Sequence, residues 1–261
     1  MRLSVILIGY NSWHFLEKCL TSLSFVHSYQ GDVEVIYVDN GSKDGSFHQV
    51  QNRYPWVQLI QNDRNQGVSA ARNQGIKKAV GNYILLLDSD TEISSSALEE
   101  MFAFMELHPE AGLCGCKMYG PDGSINDSCR PFPSIGKKLT AGFRILANKL
   151  HCPVKETHDY DKNAGEPFEV DYVVGACQMI RKEAQQQIGL LDEHIFYGPE
   201  DADFCLRMKQ AGYKVYYLPQ TVIYHAYQRL SSQRVFSKLN WKHLQGLLYY
   251  FWKHSKYREK N

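Results

Sequence analysis

The first half of the chain alternates between short apolar runs and stretches with helical spacing of apolar residues. The apolar runs predict strands over residues 3–8, 33–38, 57–61 and 84–87. The last of them has four consecutive apolar residues, which is typical of a strand buried on both faces. Three stretches have helical spacing. The second runs from about Val68 to a stop at Gly81. The apolar residues of the first are Phe15, Leu16, Cys19, Leu20 and Leu23, and those of the third are Leu98, Met101, Phe102 and Met105. This order predicts an α/β fold with a mostly parallel central sheet and helices on both faces.

The second half has weaker patterns. The run GLCGCKM and residues 168–174 have strand character, and YGPDGS at residues 119–124 is a turn by its Pro-Asp-Gly chemistry. A helix over residues 202–211, closed by Gly212, leads into a strand over residues 213–219. Residues 131–166 are mixed and include a basic helical stretch. Because no linker separates two independent domains, we expect one compact unit with a C-terminal tail.

Composition narrows the class of protein. The chain has 261 residues, 44% of them apolar, so it can bury a substantial core. Its N-terminal apolar run is short and has no small-residue cleavage site, which predicts a first strand and not a signal peptide. No run reaches the roughly 18 apolar residues of a membrane span. Seven scattered cysteines indicate free thiols in a reducing compartment, and Cys114 and Cys116 lack the spacing of a zinc site.

Charge is distributed unevenly along the chain. Residues 229–261 contain eight Lys and Arg residues and one Glu, whereas the preceding residues are acidic overall. An acidic body argues against nucleic acid as a ligand of the core. Any anionic partner is therefore expected at the tail.

Two carboxylates follow the most apolar strand, in the sequence YILLLDSDTE. Asp88 and Asp90 lie upstream of the next helix, whose own start fits a capping box at residues 96–99. Paired anions repel each other, so a positive or hydrogen-bonding partner is expected beside them. Helix capping is one explanation, and a hard divalent cation shared with a phosphate substrate is the other. Ligands of open α/β sheets bind at this carboxyl edge, where Tyr10-Asn11 and Asp39-Asn40-Gly41-Ser42 also lie.

Several stretches together resemble the family 2 glycosyltransferases, which have the GT-A fold. The matching stretches are VILIGYNS, VIYVDNGSKDGS, NQGVSAARNQGI, LLLDSD, GAC and GPEDADFCLRMKQAGYKVYYLP, in the family's order over residues 1–228. PDGSINDSCRPFPS and VIYHAYQRLS are most similar to rhamnosyltransferase-type members of bacterial polysaccharide assembly. The resemblance implies a GT-A domain over residues 1–228, with a nucleotide-sugar half at 1–118 and an acceptor half at 119–228. Residues 229–261 would then form the tail.

The resemblance also implies roles for the edge residues on the donor side. Tyr10 would pack on the nucleotide base, Asp39 would accept a hydrogen bond from a pyrimidine imide, and Asp88 would hold the ribose or nucleotide. Arg72 would meet the base or diphosphate, although a solvated helix arginine explains it too. Asp90 would hold a divalent metal, Mg²⁺ or Mn²⁺, that bridges the diphosphate oxygens.

A second acidic site lies in PEDADF. Glu200, Asp201 and Asp203 stand where a helix begins, and the helix dipole alone favours anions there. Displacement at an anomeric carbon, however, needs a base for the incoming hydroxyl in addition to support for the leaving group. By resemblance the base is Asp201, with Glu200 as its neighbour. His225, by default an ordinary core or surface histidine, would complete the metal shell.

The expected activity is the inverting, metal-dependent transfer of a sugar from a nucleoside-diphosphate sugar, and dTDP-rhamnose is the donor that the resemblance favours. The acceptor would be a hydroxyl of a glycan or lipid-linked molecule in bacterial cell-surface polysaccharide synthesis. A sugar-nucleotide pyrophosphorylase or a dehydrogenase would need a Gly-rich phosphate loop after the first strand, and IGYNSWH has none. A processive synthase would need membrane spans. A non-catalytic nucleotide- or glycan-binding protein of the same fold would have gaps among the acidic positions.

The basic tail has two explanations. Phe236, Leu239, Leu244, Leu247, Leu248 and Phe251 can share one helix face. Such a helix can dock on the body, or it can lie in a membrane interface, which Trp241, Tyr249, Tyr250 and Trp252 favour. We expect a cytoplasmic enzyme with peripheral contact to the inner face of the cell membrane through residues 235–261.

Overall fold

The computed structural model describes residues 2–29, 32–134, 160–161, 164–226 and 237–255. The helices are α1 Trp13–Ser22, α2 Ser46–Arg53, α3 Val68–Lys78, α4 Ser95–Leu107, α5 Lys182–Ile188, α6 Glu200–Gln210 and α7 Lys238–Lys253, with a 3-10 segment at Leu23–Tyr29. The strands are β1 Leu3–Gly9, β2 Val33–Asp39, β3 Val57–Gln61, β4 Tyr83–Asp88, β5 Thr91–Glu92, β6 Ala111–Tyr119, β7 Cys129–Arg130, β8 Phe168–Glu169, β9 Tyr172–Val173, β10 Cys177–Arg181 and β11 Lys214–His225.

The main sheet has the order β3-β2-β1-β4-β10-β6-β11-β5, with β8 also paired to β11. Strands β1 to β4 are mutually parallel, as the alternation of strands and helices predicted. The sequence did not predict β10, which lies antiparallel between β4 and β6. This insertion brings the start of β10 next to the carboxyl end of β4, so residues from distant parts of the chain share that edge.

Both faces of the sheet are covered by helices. Alternate side chains of β1 point to opposite faces, with Leu3, Val5 and Leu7 in one core layer and Ile6 in the other. The first layer contains buried residues of α1 and α4, and the second contains buried residues of α3, α5, α6 and α7. The predicted three-layer α/β arrangement is confirmed.

Three predicted boundaries are wrong. Helix α3 ends at Lys78, because Ala79 has an extended backbone before Gly81 is reached. The strand predicted over residues 168–174 is two short strands, β8 and β9. Strand β11 continues past Pro219 to His225, with a register shift between Leu218 and Val222 that accommodates the missing proline N–H.

The predicted cap of α4 is also wrong. Ser94 is the N-cap, and its side chain accepts a hydrogen bond from the Ala97 amide at 3.2 Å. Ser96 lies inside the first turn, where its hydroxyl contacts that of Ser94. Three consecutive serines made the position of the cap ambiguous in the sequence, but Asp88 and Asp90 still lie upstream of it.

Other predictions concern thiols and membrane spans. The six cysteines of the described ranges are all free and buried, which agrees with the predicted thiols, and Cys152 lies outside those ranges. The predicted basic helical stretch, residues 136–151, also lies outside them. None of the helices described is long and apolar enough to cross a membrane.

Candidate active site

Two adjoining cavities open at the carboxyl edge of the sheet. The wide cavity has a volume of about 680 Å³ and is lined by Tyr10, Asn11, Asn40, Gly67, Asp90, Phe196 and Leu239, among others. The narrow cavity has about 330 Å³ and is lined by Asn126, Asp127, Arg130, Tyr172, Gly175, Asp201, His243 and Leu247, among others. Both cavities share Arg72, Asp88, Tyr197, Glu200 and His225. Four of the predicted residues, Arg72, Asp88, Glu200 and His225, therefore meet where the two cavities join.

Arg72 is the positive partner of the acidic edge. Its side chain is only 3% exposed, so it is not a solvated helix arginine. One guanidinium nitrogen, Nη2, donates to Asp88 Oδ1 at 2.7 Å, and Nη1 donates to Glu200 Oε1 at 3.2 Å. Burial lowers the pKa of Arg72, but the charges of Asp88 and Glu200 outweigh it and raise that pKa. Arg72 is thus a charged bridge between the two predicted acidic sites.

Gly175 provides the space for this bridge. It lies just before β10, where its carbonyl accepts from Arg72 Nη2 at 2.7 Å and its amide donates to Asp201 Oδ2 at 3.3 Å. A Cβ at this position would lie 2.9 Å from Nη2 and 3.0 Å from Cζ of Arg72. Only glycine lets the backbone approach the guanidinium so closely. The glycine of the GAC motif is therefore needed in this chain for the close approach to Arg72.

Asp88, Asp90 and His225 form a group that can hold a cation. One ligand atom of each lies within 4.8 Å of the others, and His225 Nε2 is 3.2 Å from Asp90 Oδ1. Pairing of β5 with β11 places His225 opposite Thr91, next to Asp90. Burial lowers the pKa of His225, but its hydrogen bond to Asp90 outweighs burial and raises it. Two carboxylates and an imidazole are donors that suit Mn²⁺ or Mg²⁺.

Glu200 and Asp201 begin α6 on the other side of Arg72. Burial, followed by the charge of Asp201, raises the pKa of Glu200 to about 7, with Arg72 opposing the shift. Burial also raises the pKa of Asp201, whose carboxylate accepts from the amides of Ala202 and Gly175. Carboxylates with raised pKa values are better proton acceptors in neutral solution than ordinary ones. Asp203, the third acid of the motif, points elsewhere and is fully buried against α7.

Tyr10 and Asp39 occupy different environments. Tyr10 is 50% exposed at the wide cavity, as a base-stacking residue would be. Asp39 is fully buried behind the cavity wall, where its carboxylate accepts from the Tyr37 hydroxyl at 3.2 Å and the Ser42 amide at 3.1 Å. Its contact with a base stays a prediction, and in this structure it orders the loop after β2.

Helix α3 also positions the loop that leads to Glu200, through residues that sequence reasoning missed. Asn73 donates to the Leu191 carbonyl at 2.9 Å and accepts from the Leu191 amide at 3.0 Å. The Ser69 hydroxyl donates to the Ile195 carbonyl at 2.6 Å. Both lie inside the quoted motif NQGVSAARNQGI, but a partner more than a hundred residues away leaves no local signal.

Helix α7 packs on the body and reaches the site. Leu239 lines the wide cavity, and His243 and Leu247 line the narrow one. Gly246 allows close approach, because a Cβ there would lie 2.6 Å from the Gly198 carbonyl oxygen. At its C-terminal end, His254 and Lys253 contact Asp203 at 2.8 and 2.7 Å.

The single apolar face predicted for this helix is wrong. Leu239 and Leu247 point inward with Tyr250, which is 3% exposed, whereas Leu244 and Leu248 point outward. Tyr250 therefore does not face a headgroup layer. Lys253 is not simply solvated either, because it also pairs with Asp192 at 2.7 Å.

Comparison with known proteins decides the family. The sequence profile described as "Glycosyl transferase family 2" matches residues 4–189. The chain belongs to glycosyl transferase family 2. It is a nucleotide-sugar-dependent glycosyltransferase with the GT-A fold, as its motifs predicted. Helix α7 and the site residues from Glu200 onward lie beyond the matched range.

Relatives and solved structures agree with this assignment. An N-acetylglucosaminyl-diphospho-decaprenol L-rhamnosyltransferase of Mycobacterium tuberculosis is 28% identical over 236 residues, covering 85% of this chain and 75% of that protein. The mannosyltransferase PcManGT of Pyrobaculum calidifontis, in complex with GDP-Man and Mn²⁺, matches with a TM-score of 0.61 at 17% identity. The match covers 88% of this chain but 58% of the mannosyltransferase chain. S. aureus TarS 1–349 with UDP matches at 0.62 and 21% identity, covering 86% and 60% of the two chains.

Proposed function

We propose that this glycosyltransferase transfers a sugar, with inversion and with a divalent metal, from a nucleoside diphosphate to an acceptor hydroxyl. The observation that carries the proposal is the bridge made by Arg72. It holds Asp88, beside Asp90 and His225, at the same cavity junction as Glu200, whose neighbour Asp201 lines the narrow cavity. A site for the leaving diphosphate thus adjoins a site for a base, which is what displacement at an anomeric carbon requires.

The donor would occupy the wide cavity. Tyr10 would stack on the base, and Asp39 would recognise its imide through a change in the Ser42 loop. Arg72 and Asp88 would bind toward the ribose and diphosphate. Asp90 and His225 would hold Mg²⁺ or Mn²⁺, with Asp88 within reach. The metal would neutralise charge on the departing diphosphate.

The acceptor would occupy the narrow cavity, next to Asp201. Its hydroxyl proton would pass to the Asp201 carboxylate as the oxygen bonds to the anomeric carbon. The bond from that carbon to the diphosphate oxygen would break on the opposite face, so that the configuration inverts. Glu200, paired with Arg72, would hold the start of α6 and the charge of the Arg72 guanidinium in place.

The sugar and acceptor classes come from the relatives. The M. tuberculosis protein is named as an L-rhamnosyltransferase acting on a diphospho-decaprenol carrying N-acetylglucosamine. This supports dTDP-rhamnose as donor and a lipid-linked or glycan acceptor of bacterial cell-surface polysaccharide. Such an acceptor implies a cytoplasmic enzyme with peripheral membrane contact through residues 235–261.

A donor screen tests the proposal. Melting temperatures of the purified chain would be measured with UDP, GDP, dTDP and their sugars, each with Mn²⁺ and with EDTA. We expect one nucleotide to stabilise the protein with Mn²⁺ only, because a ligand that binds the native state raises its stability. The Asp90→Asn variant should melt normally without ligand and lose the Mn²⁺-dependent shift. Equal stabilisation in EDTA would contradict the metal assignment, and no stabilisation by any nucleotide would contradict the donor site.

A further inference from the structure

Helix α7 has two faces with different environments. The inner face is packed: Gly246, Leu247 and Tyr250 are buried, and the helix lies against the loop at Gly198. An ion pair from Lys253 and a hydrogen-bond contact from His254 to Asp203 hold its C-terminal end on α6. The helix is therefore attached to the body, and its outer face has a defined orientation.

The outer face presents a stripe of four large apolar side chains: Trp241, Leu244, Leu248 and Trp252. They are 60%, 45%, 62% and 73% exposed. Their spacing of three, four and four residues puts them on one line along the helix, about 17 Å long at 1.5 Å per residue. Of the nine large apolar side chains that are exposed in the described ranges, these four lie on this one helix. Such a concentration marks an interaction surface.

The charge around the stripe indicates what covers it. Lys238 and Lys242 are exposed beside the stripe, with the Lys242 ammonium 5.4 Å from the ring centroid of Phe196, and the first turn of α7 contains no acid. Residues 229–261 carry eight Lys and Arg residues against one Glu, whereas the remaining residues are acidic overall. Apolar and indole side chains with flanking cations match the boundary between acyl chains and anionic headgroups. A single line of side chains is narrow for a protein interface, which takes about 800 Å² from each partner.

We propose that the stripe of Trp241, Leu244, Leu248 and Trp252 is the membrane-binding surface, and that α7 lies in the headgroup layer of an anionic bilayer. The inner face of the same helix supplies Leu239, His243 and Leu247 to the two cavities. One helix, about 10 Å across, thus separates the bilayer from the narrow cavity. This inference rests on the proposed function. The arrangement presents the sugar end of a lipid-linked acceptor to Asp201 while the lipid tail of the acceptor stays in the membrane.

Vesicle co-sedimentation of the full chain tests this surface. The probes are vesicles of phosphatidylcholine with about one-third phosphatidylglycerol, and vesicles of phosphatidylcholine alone, at low salt and at about 0.5 M NaCl. The wild type should bind the anionic vesicles, with less binding at high salt. Trp241→Ser combined with Leu248→Ser should lower the partition coefficient at least about tenfold, because each side chain loses its apolar burial.

A matched control separates the stripe from general hydrophobicity. Leu107→Ser removes a leucine that is 78% exposed on α4, away from α7, and should bind vesicles like the wild type. Both variants should keep the melting temperature and the Mn²⁺-dependent nucleotide shift, so loss of vesicle binding is distinguished from loss of the donor site. Wild-type binding that the stripe variant retains would overturn the proposal. Absence of wild-type binding to the anionic vesicles would also overturn it, and a wild-type dimer that the stripe variant abolishes would then assign the stripe to a second copy of the chain.

Discussion

Replacing Gly175 with alanine tests whether the Arg72 bridge depends on close backbone approach. The new methyl group would lie closest to Nη1 of Arg72, 2.9 Å from Nη2 and 3.0 Å from Cζ, and ordinary contacts begin at 3.4 Å. The guanidinium must therefore retreat by about 0.5 Å or more. It is planar and bonds to three fixed acceptors on Asp88, Glu200 and Gly175 itself, so it cannot retreat and keep all of them.

The expected destabilisation has two contributions. Overpacking of a buried site amounts to about 1–3 kcal/mol. A weakened hydrogen bond to a charged group adds about 1.5–3 kcal/mol when it is lost entirely. Partial relaxation makes the two overlap, so we expect a loss of about 2–4 kcal/mol in the free energy of unfolding. In the Arg72→Ala background the obstacle is gone, and the same substitution should change this free energy by less than about 1 kcal/mol.

Guanidinium chloride unfolding of the four proteins in this double-mutant cycle measures these values. Gly165→Ala is the matched control, because a Cβ there has no atom within 4 Å and the backbone is not left-handed. Additive effects of Gly175→Ala and Arg72→Ala would refute the argument. So would a Gly175→Ala effect as small as that of Gly165→Ala.

Three further predictions concern the same site and its support. Asp201→Asn should lower kcat by about 10²–10⁴-fold with little change in donor binding, measured by steady-state kinetics and calorimetry; near-normal turnover would reassign the base to Glu200. Asp90→Asn should abolish Mn²⁺ binding in direct titration while the protein stays folded; unchanged affinity would remove Asp90 from the metal site. Burial opposes ionisation of Asp203, but its hydrogen bond to His254 and the charges of Arg207 and Lys253 outweigh burial and lower its pKa below 3.8, so its stabilisation is present above that pH and lost as pH falls further. Asp203→Asn should therefore reduce the free energy of unfolding by about 3–5 kcal/mol at pH 7, with a difference that shrinks below pH 3.8; a pH-independent difference would contradict this.

Much of the fold is local in origin. The apolar runs of β1, β2 and β4 each identify a strand within one or two residues, because burial on both faces removes polar residues from the run itself. The edge strand β3 is only partly buried, but its apolar residues also identified it. The carboxylates after β4 and at the start of α6 were found for a similar reason: charged residues next to buried elements stand out in the pattern. The family followed from several such stretches in order, and the sequence profile confirms it.

Other features depend on contacts between distant residues. Arg72 and Glu200 are 128 residues apart, and Asn126 donates to the His225 carbonyl across 99 residues. Neither partner has a local pattern that specifies the other. The partners of Asp88 were accordingly expected to be a bound cation and the nucleotide, whereas the folded chain provides Arg72 as well. The antiparallel insertion of β10 was missed because a five-residue strand that includes Gln178 and Arg181 has no clear apolar pattern and does not encode which strands it joins.

The C-terminal helix shows the same difference between features that are local in the sequence and features that depend on distant contacts. Periodicity predicted an amphipathic helix within residues 235–261, which the structure has at Lys238–Lys253, and composition showed that this stretch is basic and aromatic. Which apolar residues would face the body depended on Gly198, Asp192 and Asp203, which the helix meets only after folding. Apolar side chains on both sides of a helix look alike in sequence. Only packing separates those that fill the core from those left outside it.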